Sequence, residues 1–273
     1  MIMGTDFGFI RKRIKDRQSL QRLEEIKKDW ALVRKKGKII KSKKTFPIKI
    51  GKYTFWLRKN GASSSVDTYL EMFKKNGHMT LPEFKGRKDK VVLDLGANEG
   101  YYVTRMKDNN PRLKIIAVEP VPQTFALLKK NIAANRLKNV IPVNAAITSK
   151  TGRITFEVIP EITVVGGLDI VVQKRPWLDV RRVQKITVNS ITLPLLCKKM
   201  GIRKIDILKM DVEGSELEIL KSSKELLKDI SKIVIEWHSE KLRDDCISFL
   251  SKNGFKLVNA EKRKCGDLYF VRK

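Results

Sequence analysis

The stretch that decides the fold runs from Val91 to Pro120 and reads VVLDLGANEGYYVTRMKDNNPRLKIIAVEP. A short apolar run ends in Asp94, a turn with two glycines follows from Gly96 to Gly100, and a second apolar run ends in Glu119. Continuous apolar runs of this kind are typical of strands that are buried on both faces of a sheet. The stretch therefore predicts strand, tight turn, helix and strand, with a carboxylate at the end of each strand.

The same turn predicts a binding site for a nucleoside-bearing cofactor. Gly96 and Gly100 have no Cβ, so the backbone there can approach a ligand closely. The helix that begins after the turn offers backbone N–H groups that have no partner within the helix. Glu119 lies where folds of this type hold a ribose, because a carboxylate can accept hydrogen bonds from both sugar hydroxyls.

Two cofactors fit a site of this type, a dinucleotide and S-adenosylmethionine. A dinucleotide site requires the spacing G-x-G-x-x-G, whereas this chain has G-x-N-x-G with Asn98 in the middle and Tyr101 where the third glycine would be. Asp94 stands directly before the turn, where its charge would repel a pyrophosphate. An acid there suits a cofactor with an amino group and a sulfonium, so the pattern favours S-adenosylmethionine over NAD.

Further segments resemble those of a known family. The segments are DLGANEGYY at 94–102, AVEPVPQTFALLKKNIAAN at 117–135, VIPVNAAI at 140–147, IDILKMDVEGSELEIL at 205–220 and IVIEWH at 233–238. From about Ser64 to its C-terminus the chain resembles the FkbM-like S-adenosylmethionine-dependent methyltransferase family, and DVEG after an apolar strand is the most specific element. The resemblance implies methyl transfer, usually to a hydroxyl oxygen, on a seven-stranded doubly wound sheet. One departure is Pro194 after Thr192-Leu193, where the family usually has an acid; proline suits the first turn of a helix.

The composition indicates one substantial core with an appendage, in a chain of 273 residues with 42% apolar residues. Three cysteines, at positions 197, 246 and 265, are too few and too scattered for a disulfide framework or a metal cluster. We find no apolar run of the roughly 20 residues that a membrane-spanning helix needs and no signal peptide. The expectation is an intracellular, cytoplasmic protein that is soluble or associated with a membrane surface.

The charge is strongly positive, at +28 for the whole chain. Residues 1–50 contain 16 Lys and Arg against 5 Asp and Glu, and the remaining residues contain 42 against 25, so the bias is not confined to one end. Such a surface attracts RNA, an acidic lipid surface, or a phosphorylated or acidic glycan. The alternative is that the charge serves solubility alone.

Three parts of the chain are expected: a basic helical extension at 1–45, a lead-in with a hairpin and a helix at 46–89, and a Rossmann-like domain at 90–273. Apolar residues from Phe7 to Lys38 recur at helical spacing between basic ones, so this helix either packs on the domain or lies on a membrane or nucleic acid. Lys41 to Lys44 form a basic link. Residues Pro160 to Lys185 fit no parallel element and are a candidate substrate lid or a plain surface excursion.

The order of elements predicts a mostly parallel α/β sheet. The elements expected around the first strand are a hairpin at 48–57, a loop at 62–65, helices at 66–75, 124–135 and 215–228, and strands at 140–143, 154–159, 205–210, 233–237, 255–258 and 268–271. The strand at 154–159 is expected to be an added antiparallel strand because it alternates in polarity.

The expected site lies at the carboxyl ends of the strands. The predicted cofactor-binding residues are Asp94, Gly96, Asn98, Gly100, Glu119, Pro120, Asn144, Ala145, Ala146 and Asp211. The predicted catalytic residues are His238, Glu213 and Asp211.

Methyl transfer to oxygen needs a group that removes the hydroxyl proton. His238 is the leading candidate for this base because imidazole titrates near neutral pH, with Glu213 as the alternative and Glu236 or Asp211 behind it. His78 stands in a connector that no motif supports. The cluster could also hold a divalent metal, but nothing in the spacing demands one, and none is predicted.

The function predicted from these observations is S-adenosylmethionine-dependent O-methylation of a hydroxyl on an anionic or sugar-containing substrate. One alternative is an RNA methyltransferase, acting on ribose or base, that uses the basic surface. A second alternative is a non-catalytic module that binds an anionic polymer.

Overall fold

The computed structural model describes residues 45–58, 62–74, 77–159, 162–167, 180–261 and 266–273. The predicted helix from Phe7 to Lys38, the basic link and nearly all of the predicted extension at 1–45 lie outside the described residues, as does most of the candidate lid. None of the described helices is long and apolar enough to cross a membrane.

A seven-stranded sheet forms the centre of the fold, as predicted. Its strands are β3 (Val91–Leu95), β4 (Lys114–Val118), β5 (Val140–Val143), β10 (Ile205–Met210), β11 (Ile230–Trp237), β12 (Phe255–Ala260) and β13 (Gly266–Arg272). Their order across the sheet is β12, β13, β11, β10, β3, β4, β5. The five strands from β11 to β5 are parallel to their neighbours, and β13 and β12 add antiparallel strands at one edge.

Helices cover both faces of this sheet. They are α1 (Ala62–Lys74), α2 (Tyr101–Asn109), α3 (Pro122–Ala134), α4 (Leu193–Lys199), α5 (Glu216–Ser222) and α6 (Glu240–Lys252). One apolar cluster combines alternate residues of β3 and β10 with α4, α5 and α6, and a second combines the other residues of these strands with α1, α2 and α3. Burial on both faces explains why the parallel strands read as continuous apolar runs.

Most predicted bounds differ from the structure by three residues or fewer at either end, and two elements differ in kind. Residues 62–65, expected as a loop, form the start of α1. The helix expected over 215–228 ends at Ser222 and is followed by a separate 3₁₀ segment at Lys224–Asp229. By contrast, Pro194 lies in the first turn of α4, where Thr192 caps the helix by accepting a hydrogen bond from the backbone N of Leu195 at 3.3 Å.

A second, smaller sheet corrects the expectation for residues 146–191. It contains β6 (Ala146–Ile147), β7 (Gly152–Ile159), β8 (Ile162–Gly167) and β9 (Gln184–Ile191), in the order β6, β9, β7, β8. The strand predicted at 154–159 is antiparallel as expected, but its partners β9 and β8 belong to this sheet and not to the main one. Gly166 and Gly167, which lie within the candidate lid, pair with β7.

The lead-in forms the predicted hairpin from β1 (Thr45–Ile50) and β2 (Tyr53–Arg58). Two asparagines of α3 tie the hairpin to the main domain: Asn131 Oδ1 accepts from the backbone N of Trp56 at 2.6 Å, and Asn135 Oδ1 accepts from that of Thr54 at 2.9 Å. Phe46 and Phe55 are fully buried in the same apolar cluster as α2. The lead-in therefore completes one face of the sheet.

Candidate active site

The site lies where β3, β4, β10 and β11 end at the same edge of the sheet. The turn after β3 contains Gly96, the end of β4 is followed by Glu119, β10 is followed by Asp211, and β11 is followed by His238. Adjacent parallel strands bring their carboxyl ends together, so residues far apart in sequence meet here.

Gly96 is required by the close packing of two turns. Its φ is +82°, and a Cβ at this position would lie 1.9 Å from the backbone O of Asp211. The missing side chain thus allows the turn after β3 to pack against the turn after β10. Gly100 also has a positive φ, and a Cβ there would lie 2.7 Å from Leu128 Cδ1 of α3. Both glycines therefore shape the turn, and their predicted role beside a ligand stays a prediction.

Glu119 is held rigidly at the end of β4. Its carboxylate accepts hydrogen bonds from the backbone N of Asn98 at 3.0 Å and from that of Val121 at 2.9 Å. Burial raises the pKa of Glu119 to about 7, although these two N–H groups act in the opposite direction. Asn144 Nδ2 donates to the backbone O of Glu119 at 2.8 Å and to that of Pro120 at 3.0 Å. Asn144 therefore positions the segment predicted to hold the ribose.

Two further residues predicted to bind the cofactor, Ala145 and Ala146, are both buried. Ala145 packs in the cluster of the main sheet, and Ala146 begins β6 and packs in the cluster of the small sheet. They form the wall behind Asn144, and their part in cofactor binding stays a prediction.

Asp94 is fully buried and pairs with Lys209 of the neighbouring strand, with 3.1 Å between Oδ1 and Nζ. Lys209 Nζ also donates to the backbone O of Gly96 at 2.9 Å and lies 3.4 Å from Asp211 Oδ2. Burial lowers the pKa of Lys209, but the charges of Asp94 and Asp211 outweigh it and hold the pKa above its ordinary value. Asp94 therefore contacts this lysine, and its part in cofactor binding stays a prediction.

The three predicted catalytic residues lie together. His238 Nε2 is 3.2 Å from Glu213 Oε2 and 3.9 Å from Asp211 Oδ1. Glu213 has a φ of +60°, a conformation that side-chain-bearing residues rarely adopt. The fully buried carboxylate of Glu216 fixes this turn by accepting from the backbone N of Val212 and of Gly214. The histidine thus faces carboxylates that can stabilise its protonated form.

His78 belongs to the site and was missed. Its Nδ1 lies 2.7 Å from Asp267 Oδ1, its backbone N donates to Asp267 Oδ2 at 2.9 Å, and its Nε2 lies 3.6 Å from Glu236 Oε2. Burial lowers the pKa of His78, but the neighbouring Asp267 charge outweighs it and raises the pKa to about 10. The partner is 189 residues away in sequence, so no local pattern identifies this position.

The described residues fit the predicted cofactor. Asn98 Oδ1 is buried in the turn between Gly96 and Gly100 and has no hydrogen-bond partner among the described residues. A buried acceptor without a donor is unfavourable, and the hydroxyl and amino groups of S-adenosylmethionine are donors. The backbone N of Asn98 donates a hydrogen bond to the carboxylate of Glu119. The two acceptors, Asn98 Oδ1 and this carboxylate, are therefore neighbours.

Comparisons with known proteins give the family. The Methyltransferase FkbM domain matches residues 94–257, which is more than half of the chain. The chain is 28% identical over 193 residues to Methyltransferase sdnD of Sordaria araneosa, covering 61% of this chain and 74% of that one.

Two further relatives have more specific names. Hexuronic acid methyltransferase AglP of Haloferax volcanii is 27% identical over 168 residues, covering 62% of this chain and 64% of that one. The 2-O-methyltransferase NoeI of Sinorhizobium fredii is 26% identical over 175 residues, covering 60% and 70%. The chain therefore belongs to the FkbM methyltransferase family and is an S-adenosylmethionine-dependent methyltransferase.

Proposed function

We propose that the protein methylates a hydroxyl oxygen of a sugar-containing or anionic acceptor. The observation that carries this proposal is the position of His238, whose Nε2 lies 3.2 Å from Glu213 Oε2 at the carboxyl edge of the sheet. A hydroxyl is a poor nucleophile until its proton is removed, and an imidazole beside a carboxylate is suited to that task. The names of AglP and NoeI, a hexuronic acid methyltransferase and a 2-O-methyltransferase, are consistent with such an acceptor.

S-Adenosylmethionine, when bound, supplies a methyl group on a sulfonium, and the chain's residues do the rest. Glu119 and Asn98 hold the cofactor's nucleoside end at the turn after β3, with Asn144 fixing the backbone of Glu119. His238 accepts the hydroxyl proton at Nε2. Glu213 and Asp211 then face the imidazolium that forms, and their negative charges stabilise it.

The positive charge of the chain supports an anionic acceptor or partner. At +28 the protein attracts polyanions over a long range, and a carboxylate-bearing glycan matches this charge. RNA and an acidic lipid surface are also negatively charged, so the test below includes both as competing acceptors.

The test is methyl transfer from labelled S-adenosylmethionine to four acceptors: a glycan with uronic acid units, a neutral glycan of the same length, RNA, and vesicles with anionic lipid. We expect labelling of the uronic acid glycan, with the label stable to base as an ether. Labelling of RNA alone would make the RNA alternative correct, and labelling as a base-labile ester would show that a carboxylate is the acceptor and not a hydroxyl.

The base is tested separately with the preferred acceptor. His238→Ala should lower turnover about 10²–10⁴-fold and leave the affinity for S-adenosylmethionine unchanged, since His238 is assigned to the acceptor side. Turnover within a few-fold of the wild-type value would make Glu213 the base, and Glu213→Gln would then give the large loss.

A further inference from the structure

The chain contains two histidines, and both direct Nε2 at one carboxylate. His78 Nε2 lies 3.6 Å from Glu236 Oε2, and His238 Nε2 lies 3.7 Å from Glu236 Oε1. Both distances are too long for hydrogen bonds. Bonds of about 2.1 Å to one tetrahedral ion would separate two neighbouring ligand atoms by roughly 3.4 Å. The distance between His78 and Glu236 is therefore close to that of two ligands sharing a cation.

A third ligand is present on the neighbouring strand end. His78, Asp211 and Glu236 each offer one ligand atom, and these atoms lie within 4.8 Å of one another. Lys209 Nζ lies 3.4 Å from Asp211 Oδ2, so Oδ1 of this carboxylate is the oxygen that lies away from the lysine. The three ligands come from the connector before β3, from the turn after β10 and from β11 itself, which are three rigidly packed parts of the domain.

His78 is oriented in the manner of a metal-binding histidine. Such histidines usually bond a carboxylate through the ring nitrogen that does not touch the metal. Here Nδ1 lies 2.7 Å from Asp267 Oδ1, and Tyr269 in turn donates its hydroxyl to Asp267 Oδ2 at 3.0 Å. Both Asp267 and Tyr269 are buried. This arrangement fixes the ring and points Nε2 towards Glu236 and Asp211.

The local charge also favours a cation. Six carboxylates surround this part of the site, and Lys209 is the one lysine among them in the described part of the chain. The carboxylates are Asp94, Asp211, Glu213, Glu216, Glu236 and Asp267. This excess of acid lies inside a chain whose net charge is +28, so it does not follow from the overall composition. A divalent ion would compensate it.

We propose that His78 Nε2, Asp211 and Glu236 bind one divalent transition-metal ion, which displaces the proton from Nε2 as it binds. The mixture of one imidazole with carboxylate oxygens suits Mn²⁺, Fe²⁺ or Zn²⁺ better than Ca²⁺ or Mg²⁺, which prefer oxygen ligands alone. Three protein ligands leave coordination positions open on the ion. His238 lies next to this site, with its Nε2 3.7 Å from Glu236 Oε1. In a role that rests on the proposed function, the ion holds the acceptor hydroxyl and lowers its pKa, while His238 accepts the proton.

The experiment measures metal binding without cofactor or acceptor, so its outcome is independent of the proposed function. Full-length protein is stripped with a chelator and titrated with Mn²⁺ alone, with bound ion followed by electron paramagnetic resonance. We expect one Mn²⁺ per chain. His78→Gln and Glu236→Gln should each weaken binding at least tenfold, whereas His238→Gln should change it by less than about threefold.

Folding is checked for each variant by circular dichroism and thermal melting. If His78→Gln does not fold, Glu236→Gln provides the same test, because Glu236 is partly exposed and its loss leaves the pair of His78 and Asp267 intact. Folded wild-type protein that binds no Mn²⁺ or Zn²⁺, or a folded His78→Gln that binds as tightly as wild type, would overturn the proposal. Metal binding with no transfer to any hydroxyl would leave the site standing and refute only the proposed function.

Discussion

Replacing Gly96 by alanine tests how the two turns of the site are held together. The backbone φ of Gly96 is +82°, and a Cβ there would lie 1.9 Å from the backbone O of Asp211. Real Cβ atoms essentially never approach closer than 3.0 Å, so the turns must separate by about 1.1 Å, the difference between these two distances. Because Lys209 Nζ donates to the backbone O of Gly96 and also contacts Asp211, such a movement disturbs the lysine as well.

The chain offers a matched control for the conformational part of this cost. Gly201 has a φ of +62°, and a Cβ there would meet nothing within 4 Å. Gly201→Ala should therefore cost only the strain of a left-handed alanine, about 1–2 kcal/mol. Gly96→Ala should add the cost of forcing packed groups apart, about 1–3 kcal/mol, for a total of about 2–5 kcal/mol.

The assay is urea unfolding of both variants beside wild type, together with calorimetric titration of S-adenosylmethionine. Gly96→Ala should lose both stability and cofactor affinity, because the displaced turn carries Asn98. Gly201→Ala should lose stability alone, since this glycine follows α4 and lies away from the strand ends. Equal losses of stability in the two variants would refute the close contact between the turns.

Three further predictions concern buried carboxylates and their partners. Glu119→Ala should weaken S-adenosylmethionine binding by about 1–3 kcal/mol in calorimetric titration, and an unchanged affinity would place the ribose elsewhere. Lys209→Met should destabilise the protein by about 3–5 kcal/mol because it leaves Asp94 buried without its cation, whereas Lys241→Met, which removes an exposed pair, should leave the urea midpoint nearly unchanged. Burial raises the pKa of Glu99 from 4.5 to about 7, so between these values the folded protein binds more protons than the unfolded chain, and its stability falls as pH rises. Between pH 4.5 and 7, the free energy of unfolding of Glu99→Gln should fall by about 3 kcal/mol less than that of wild type. The same pH dependence of stability in the variant and in wild type would contradict this prediction.

The local sequence pattern was sufficient to predict the bounds of two strands of the main sheet. The predicted bounds 140–143 and 205–210 match β5 and β10, because an apolar run that ends in a polar residue marks where a central strand leaves the core. The convergence of Asp211, Glu213 and His238 followed from the same reasoning, since parallel neighbours end at a common edge. The sequence thus predicted the main sheet and the convergence of these three residues at its edge.

What the sequence did not reveal depends on contacts between distant segments. Alternating polarity identified β7 as an antiparallel strand, but its pairing with β9 is set by residues about 30 positions away. His78 has no motif around it, and its role in the site depends on Asp267 and Glu236. Likewise, the reason for a glycine at position 96 lies in the backbone of Asp211.

Lys209 links the turn after β3 to the turn after β10, so these two parts of the candidate site cannot vary independently. Its ammonium group contacts Asp94 in β3, the backbone O of Gly96 in the turn after β3, and Asp211 beside His238. A buried cation with three anionic or carbonyl partners is stabilised only while all of them stay in place. A change in the turn after β3 therefore alters the position of Asp211, whose Oδ1 lies 3.9 Å from His238 Nε2. For this reason, variants on either side should be compared by cofactor affinity and turnover together, because a loss of turnover alone would not locate the defect.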